Sequence, residues 1–251
     1  MERWVSASQL KTALVCPASL ILPRSNKAYS ENASKAADFG TKGHTYIETG
    51  EILPGMEAWA AKGDRNKLYP AKGHHEVVGW YDPISKECGL KFPPADPKLR
   101  RHRDYAGIPE HCIVGTIDYH TELKSGKWWI DDLKTGAKLF LPEPDSEQMY
   151  FGAMVLNTVK RQPVISTITW WPQYPLDQLP DRQKVEFQDK HLLVFRDKLD
   201  KMYDLYVKKV NTQKRNSGCL FCKSAGSCET GRKVKEEVAE RKRQRAELKR
   251  R

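Results

Sequence analysis

The sequence predicts an α/β chain, with a mixed central sheet flanked by helices and a helical subdomain in which cysteines clip the two ends together. Three observations carry this. Segments 112–122 and 127–134 are rich in β-branched and aromatic residues, and the polar Lys124-Ser125-Gly126-Lys127 between them has the composition of a hairpin turn. Residues 190–210 place Leu192, Phe195, Leu199, Met202, Tyr206 and Val210 at helical spacing. Cys16 lies near one end of the chain, and the C-x2-C-x5-C run of Cys219, Cys222 and Cys228 lies near the other.

The remaining elements follow in order. An N-terminal helical region holds Cys16 at a Cys-Pro turn and leads, after a polar loop, into a helix carrying His44. Residues 51–112 are rich in Pro and Gly, hold a basic cluster at 98–103, and read in part as an elaboration with one strand at 75–81. The hairpin comes next, then a helix over 146–159 and a strand at 164–171 that returns to the sheet. The helix over 190–210 delivers the chain to the cysteine run. The expected organisation is one domain over 1–231, with 1–30 and 211–231 joined by a metal or cluster site, and a basic tail over 232–251. That tail carries ten Lys or Arg against four Glu, the pattern of a solvated helix or a disordered extension.

Two carboxylates and an ammonium mark the chemistry. Asp118 ends Val114-Gly115-Thr116-Ile117-Asp118, and Asp132 lies 14 residues later, room for one strand, a turn and a return. Side chains alternate along a strand, so Asp132 and Lys134 share a face. Burying carboxylates at the end of an apolar strand is costly unless they are paired or bind metal. Such a set can hold a divalent cation, a scissile phosphate and an attacking water. Asp131, between them, reads as a strand-end charge. Oxygen ligands suit Mg2+ or Mn2+. The net charge of +11 fits a polyanionic partner. The pairs Trp128-Trp129 and Trp170-Trp171 offer stacking surfaces for bases, with one member of each pair facing the core.

The cysteines point to a second metal centre. Three thiolates from one short loop leave a fourth ligand to be found, and Cys16 is the candidate; zinc and iron–sulfur clusters both accept four thiolates. No secretory signal opens the chain, which argues against disulfides and for a cytoplasmic setting. Cys88 and Cys112 read as ordinary buried or partly exposed thiols. A mean hydropathy of −0.69 and the lack of a long apolar run exclude a membrane-spanning segment.

With these motifs in this order, the chain resembles the RecB-like branch of the PD-(D/E)xK nuclease superfamily. Within it the likeness is to the iron–sulfur members: CRISPR-associated adaptation nucleases, AddB-type helicase–nuclease subunits and related phage exonucleases. The resemblance implies a restriction-endonuclease-like core and a four-iron–four-sulfur cluster on Cys16, Cys219, Cys222 and Cys228, with zinc as the alternative occupant. It matches His44, in Gly40-Thr41-Lys42-Gly43-His44, to a histidine on a helix. His44 would then join Asp118, Asp132 and the carbonyl of Leu133 around Mg2+ or Mn2+, and its imidazole tilts the preference toward Mn2+. Lys134 would orient or help deprotonate the attacking water, Gln148 would act from the next helix, and Glu48, one turn after His44, could support it. Gly152 stands where the family carries a tyrosine.

The activity implied is a metal-dependent phosphodiesterase, an exonuclease acting on DNA that is single-stranded or has free ends, in a bacterial or phage-infected cytoplasm. Two alternatives stand beside it. One is a catalytically inactive iron–sulfur DNA-binding subunit of a repair or recombination complex; the other is a structure-specific endonuclease on the same fold.

Overall fold

In the computed structural model the described residues are 4–23, 31–94, 104–135, 146–173, 179–215, 219, 224 and 226–248. In chain order the elements are β1 (Val5–Ser6), α1 (Leu10–Val15), α2 (Ala18–Ile21), α3 (Glu31–Thr49), α4 (Glu57–Ala60), α5 (Arg65–Leu68), β2 (His74–Tyr81), β3 (Cys88–Lys91) and β4 (Ile113–Glu122). There follow β5 (Trp128–Lys134), α6 (Glu147–Lys160), β6 (Val164–Trp170), β7 (Asp181–Glu186), α7 (Asp189–Val207) and α8 (Glu229–Leu248). The chain divides into two compact units, one of residues 1–8 with 29–197 and one of 9–28 with 198–251.

The first unit is built on a mixed seven-stranded sheet, ordered β3-β2-β4-β5-β6-β7, with β1 paired in parallel to β4. The hairpin of β4 and β5 forms as the sequence predicts. Its turn is closed by Gly126 N–H donating to Leu123 O at 2.9 Å, with Gly126 at φ +76°, a conformation that favours glycine. β5 then runs parallel to β6, registered from Trp128↔Val164 to Lys134↔Trp170, and α6 supplies the crossover.

Helix α6 covers one face of the sheet. Gly115 leaves room for it there: a Cβ at that position would lie 2.7 Å from the Phe151 ring. Gly152 faces Ile117 and Ile130 so closely that a Cβ would meet both at 3.3 Å, so a tyrosine at that position has no space. The aromatic bulk of this helix sits one and two residues earlier, where Phe151 packs over Gly115 and Tyr150 lies against Phe187. The opposite face carries a cluster of Tyr46, Trp59, Tyr69, Tyr119, Trp129 and Trp171.

Residues 51–112 hold more structure than the sequence reading assigned them. Besides β2, they include α4, α5 and the edge strand β3, and the basic cluster at 98–103 lies outside the described residues. Strand β7, also unforeseen, is the polar Asp-Arg-Gln-Lys-Val-Glu run on the far edge, where a strand needs no apolar alternation. Of the two Trp pairs, Trp128-Trp129 has one member in the core as expected, whereas Trp170-Trp171 is buried throughout and offers no stacking surface. Trp129, Trp170 and Trp171 are buried, while Trp128 is partly exposed with the Lys160 ammonium 4.5 Å over its ring. Trp59 and Trp171 each donate an indole N–H to the other's carbonyl, at 3.0 and 3.1 Å.

The second unit brings the chain ends together. Ala18 N–H donates to Thr212 O at 3.3 Å and Ser224 Oγ–H to Leu22 O at 3.1 Å. Helix α8 takes up most of the basic tail, and Arg215 forms a bidentate pair with its Glu237 at 2.9 and 2.6 Å. No helix among the described residues is long and apolar enough to cross a membrane.

One buried group in the sheet makes a pH prediction. His120 is fully buried among His74, Phe92 and Trp128, and neither ring nitrogen has a hydrogen-bond partner among the described residues. Burial, reinforced by the charges of His74 and Lys160, pushes its pKa down to about 3 from the usual 6.5. An unfolded chain takes up this proton near pH 6.5, while the folded chain refuses it until about pH 3. The stability that neutral His120 supports is therefore present above pH 6.5 and lost as pH falls toward 3. His75, pushed down to about 4 by burial and then Arg65, adds the same sign. In thermal melts from pH 7 to pH 4, wild type is expected to lose Tm more steeply than His120→Leu. That variant should also gain about 1 kcal/mol at pH 7 by removing unpaired polar atoms.

Candidate functional site

The site begins where two strands part. One edge of β4 pairs with β1 at Ile113 and Val114 and with β5 only from Tyr119 onward, so residues 115–118 have no strand partner on that edge among the described residues. Into this gap Asp118 turns its carboxylate, and Oδ2 accepts the Leu133 N–H at 3.1 Å. The ladder to β2 is interrupted at the same level. His75↔Tyr119 and Val77↔Ile117 are paired, while Glu76, between them, takes φ +52°. A left-handed non-glycine residue inside a strand costs roughly 1–3 kcal/mol and tends to occur where a side chain must be re-aimed. The face alternation breaks here too: Ile117 packs on α6, whereas Tyr119 joins the cluster on the opposite face. The kink thus gathers Glu76 and Asp118 at one point.

Helix α3 brings His44 to that point. A Cβ on Gly43 would lie 2.9 Å from Thr135 Cγ2 and 3.3 Å from Trp59, so glycine permits the helix to approach the end of β5. His44 Nδ1 is 3.1 Å from Glu76 Oε1, and Nε2 is 3.8 Å from Asp118 Oδ2. On β5, Lys134 Nζ lies 2.6 Å from Asp132 Oδ2, the shared face that period-two alternation requires. Gln148, on the first turn of α6, donates its amide to Asp132 Oδ1 at 2.8 Å. A cavity of about 650 Å³ opens over the group, lined by His44, Glu76, Asp118, Lys134 and Gln148, with Phe92 and Tyr105 at its wall. Glu48 also lines it.

The electrostatics are those of a cation site. Burial pushes Asp132 up to about 7; Lys134 opposes this and Asp118 adds to it. Burial would discharge Lys134, but Asp132 and Asp118 hold its ammonium charged, above its ordinary pKa. Burial would also lower His44, yet Asp118 and Glu76 raise it to about 9. Three carboxylates thus face one ammonium and one imidazolium. A divalent cation bound here would displace the His44 proton and relieve the repulsion among the carboxylates.

The donor set fits a hard or borderline cation. One imidazole nitrogen and two carboxylate oxygens, from His44, Glu76 and Asp118, lie within 4.8 Å of one another. This differs from the set expected from sequence in three ways. Glu76 is a member that sequence reading missed. Asp132 stands just behind, with both oxygens engaged by Lys134 and Gln148, and Leu133 meets Asp118 through its N–H.

Asp131 needs correction as a strand-end charge. It is buried on the opposite face of β5, where it accepts from Tyr69 Oη at 2.7 Å, from Thr169 Oγ1 at 2.9 Å and from Thr167 Oγ1, with Arg182 Nε 3.6 Å away. Burial pushes its carboxyl up to about 6 against those donors.

Three cysteines of the second unit lie beside one short segment, and their sulfurs are not all within 4.8 Å of one another. Cys16 Sγ lies 3.7 Å from Thr212 O, Cys228 Sγ 3.1 Å from Gln213 Oε1 and Cys219 Sγ 3.9 Å from Lys214 O, so three thiols address three consecutive residues. All three are free thiols, and Cys222 lies outside the described residues.

No family model matches the chain, and no curated protein does. Among solved structures it is similar to SSO0001, at 11% identity and a TM-score of 0.46, over 92% of this chain and 88% of that one. It is also similar to a Eubacterium rectale protein named as a candidate exonuclease, at 11% identity and a TM-score of 0.43, over 85% of each chain. Likenesses of this size leave the chemistry to be read from the residues themselves.

Proposed function

We propose that this chain is a metal-dependent nuclease on a PD-(D/E)xK core, hydrolysing DNA phosphodiester bonds from single-stranded ends. The observation that carries the reading is the convergence of His44, Glu76, Asp118, Lys134 and Gln148 on one cavity, from two helices and three strands, with Asp132 held behind them by Lys134 and Gln148. His44, Glu76 and Asp118 would hold Mg2+ or Mn2+, with Asp132 beside them. A divalent cation there supplies charge stabilisation at the phosphoryl oxygens and lowers the pKa of a bound water. Lys134 orients the attacking water and balances charge that develops on the phosphate. Gln148 holds Asp132 in place, and the Phe92 and Tyr105 rings at the cavity wall offer stacking for the terminal bases.

In the same reading, Cys16, Cys219, Cys222 and Cys228 hold a four-iron–four-sulfur cluster or a zinc ion. What supports this is a set of three soft donors around one short segment. Such a centre would clip 1–30 to 211–231 and close a loop of about 200 residues, a structural role. On this reading the two compact units work together as one nuclease domain over 1–231, with a basic extension after it.

The test uses anaerobically purified protein on 5′-labelled linear single-stranded DNA, duplex DNA, circular single-stranded DNA and RNA, with Mg2+ or Mn2+. The expected result is metal-dependent shortening of the linear single strand with the circle intact. A folded, metal-loaded protein that cleaves none of these would remove the nuclease reading. Cleavage of the circle would keep the chemistry and replace the exonuclease with an endonuclease.

A further inference from the structure

Away from the cavity, the far end of β2 meets the near end of β4, and three side chains of different chemistry converge there. Tyr81 pairs with Ile113, so Asp82 and Cys112 are the next residues beyond the register on each strand. His111 precedes Cys112 and points Nε2 at Asp82 Oδ2, 3.1 Å away. One ligand atom from each of Asp82, His111 and Cys112 lies within 4.8 Å of the others. We propose that Asp82, His111 and Cys112 form a second divalent-metal site, specific for a thiophilic ion of the Zn2+ class, that clamps the end of β2 to the start of β4.

The donor set selects the ion. One thiolate, one imidazole and one carboxylate are the ligand types that zinc combines in three-residue sites, leaving a fourth position for water. Ligand atoms about 2.0–2.2 Å from a tetrahedral ion lie about 3.3 Å apart, close to the 3.1 Å between His111 and Asp82. Mg2+ and Ca2+, which prefer all-oxygen shells, are not served by this set.

The carboxylate is already fixed for the task. Asp82 Oδ1 accepts the N–H groups of Ile84 at 2.7 Å and Ser85 at 3.2 Å, which leaves Oδ2 for the ion. Burial would raise the Asp82 carboxyl, but His111 and those two N–H groups outweigh it and hold it below its ordinary range, so it is ionised at neutral pH. Cys112 is buried in the apolar cluster of Val78, Ile108 and Val114. Burial, then Asp82, pushes its thiol up to about 11, so without metal it carries its proton. Metal binding forms a metal–sulfur bond and releases that proton to water, with no change of oxidation state. Half-exposed His111 gives the ion its route in.

The site differs from the other two in its donors: the cavity has no thiolate, and the C-terminal group draws no ligand from residues 82–112. The test is Co2+ titration of the full chain, read by thiolate-to-cobalt charge-transfer absorption, in wild type, His111→Ala, Cys112→Ser and Cys219→Ser. The expected result is charge-transfer absorption, displaced by Zn2+, with one component that survives Cys219→Ser and is lost in Cys112→Ser. In His111→Ala the affinity behind that component should fall more than about 100-fold, since losing a partner that merely orients a ligand already costs 10- to 100-fold. Zn2+ should also raise the Tm of wild type more than that of His111→Ala, a half-exposed replacement that keeps the test valid if Cys112→Ser fails to fold. Titrations of His111→Ala that match wild type, or a band that disappears entirely in Cys219→Ser, would overturn the proposal.

Discussion

Replacing Lys134 with alanine is expected to slow metal-dependent DNA cleavage about 10²- to 10³-fold, the size typical of removing one preorganised charged group from an active site. The ammonium is held 2.6 Å from Asp132 and reaches the cavity with its side chain 35% exposed, so truncation removes charge at the reacting phosphate without opening the core. Burial would discharge it, but Asp132 and Asp118 outweigh burial and keep it charged, which on the proposed function suits orienting water and balancing charge. Lys134→Arg should recover only part of the rate, because a planar guanidinium does not replace a compact ammonium. Single-turnover cleavage of labelled DNA, with thermal melts alongside, checks both. A Lys134→Ala protein of wild-type rate would mean that the β5 face is not where chemistry occurs.

One residue upstream of Asp132, the expected effect moves from rate to stability. Asp131→Ala leaves Tyr69, Thr167, Thr169 and Arg182 without their shared acceptor in a fully buried site. Removing one partner from a buried charged network costs about 3–5 kcal/mol. In a chain of this length that corresponds to a Tm about 10 °C lower. Arg182 also stacks 4.5 Å over Trp129, so the loss should loosen the packing of β7 on β5 and β6. Cleavage per folded molecule should change little. Differential scanning calorimetry measures the first effect and cleavage at low temperature the second.

These adjacent aspartates show how far sequence reading reached. Period-two alternation alone places Asp132 and Lys134 on one face and Asp131 on the other, so the face proposed for catalysis was legible. The partners of Asp131 were not, because they come from the residue after α5 and from β6 and β7, distant in sequence and assembled only by folding. Glu76 was missed for a related reason. In His75-Glu76-Val77 it reads as the solvent side of an ordinary strand, and nothing local announces the left-handed φ that brings it to Asp118. Strands with apolar alternation (β2, β4, β5 and β6) were readable, whereas polar β7 and four-residue β3 carry too little pattern. Gly43 and Gly115 were visible only as motif letters; the structure gives their reason as close approach of α3 and α6 to the sheet. Cys112 read as an ordinary thiol because Asp82 becomes its neighbour only through the pairing of β2 with β4.

The central claim is that the α6-facing side of β5 performs metal-dependent hydrolysis while the other side only holds the sheet. The most direct measurement compares Asp131→Asn and Asp132→Asn, two near-isosteric changes at neighbouring positions, in Mn2+-dependent cleavage normalised to folded protein. The account predicts an Asp132→Asn protein that is folded and loses cleavage at least 100-fold, beside an Asp131→Asn protein that melts earlier yet cleaves near the wild-type rate. Equal losses in both, or full activity in Asp132→Asn, would contradict it.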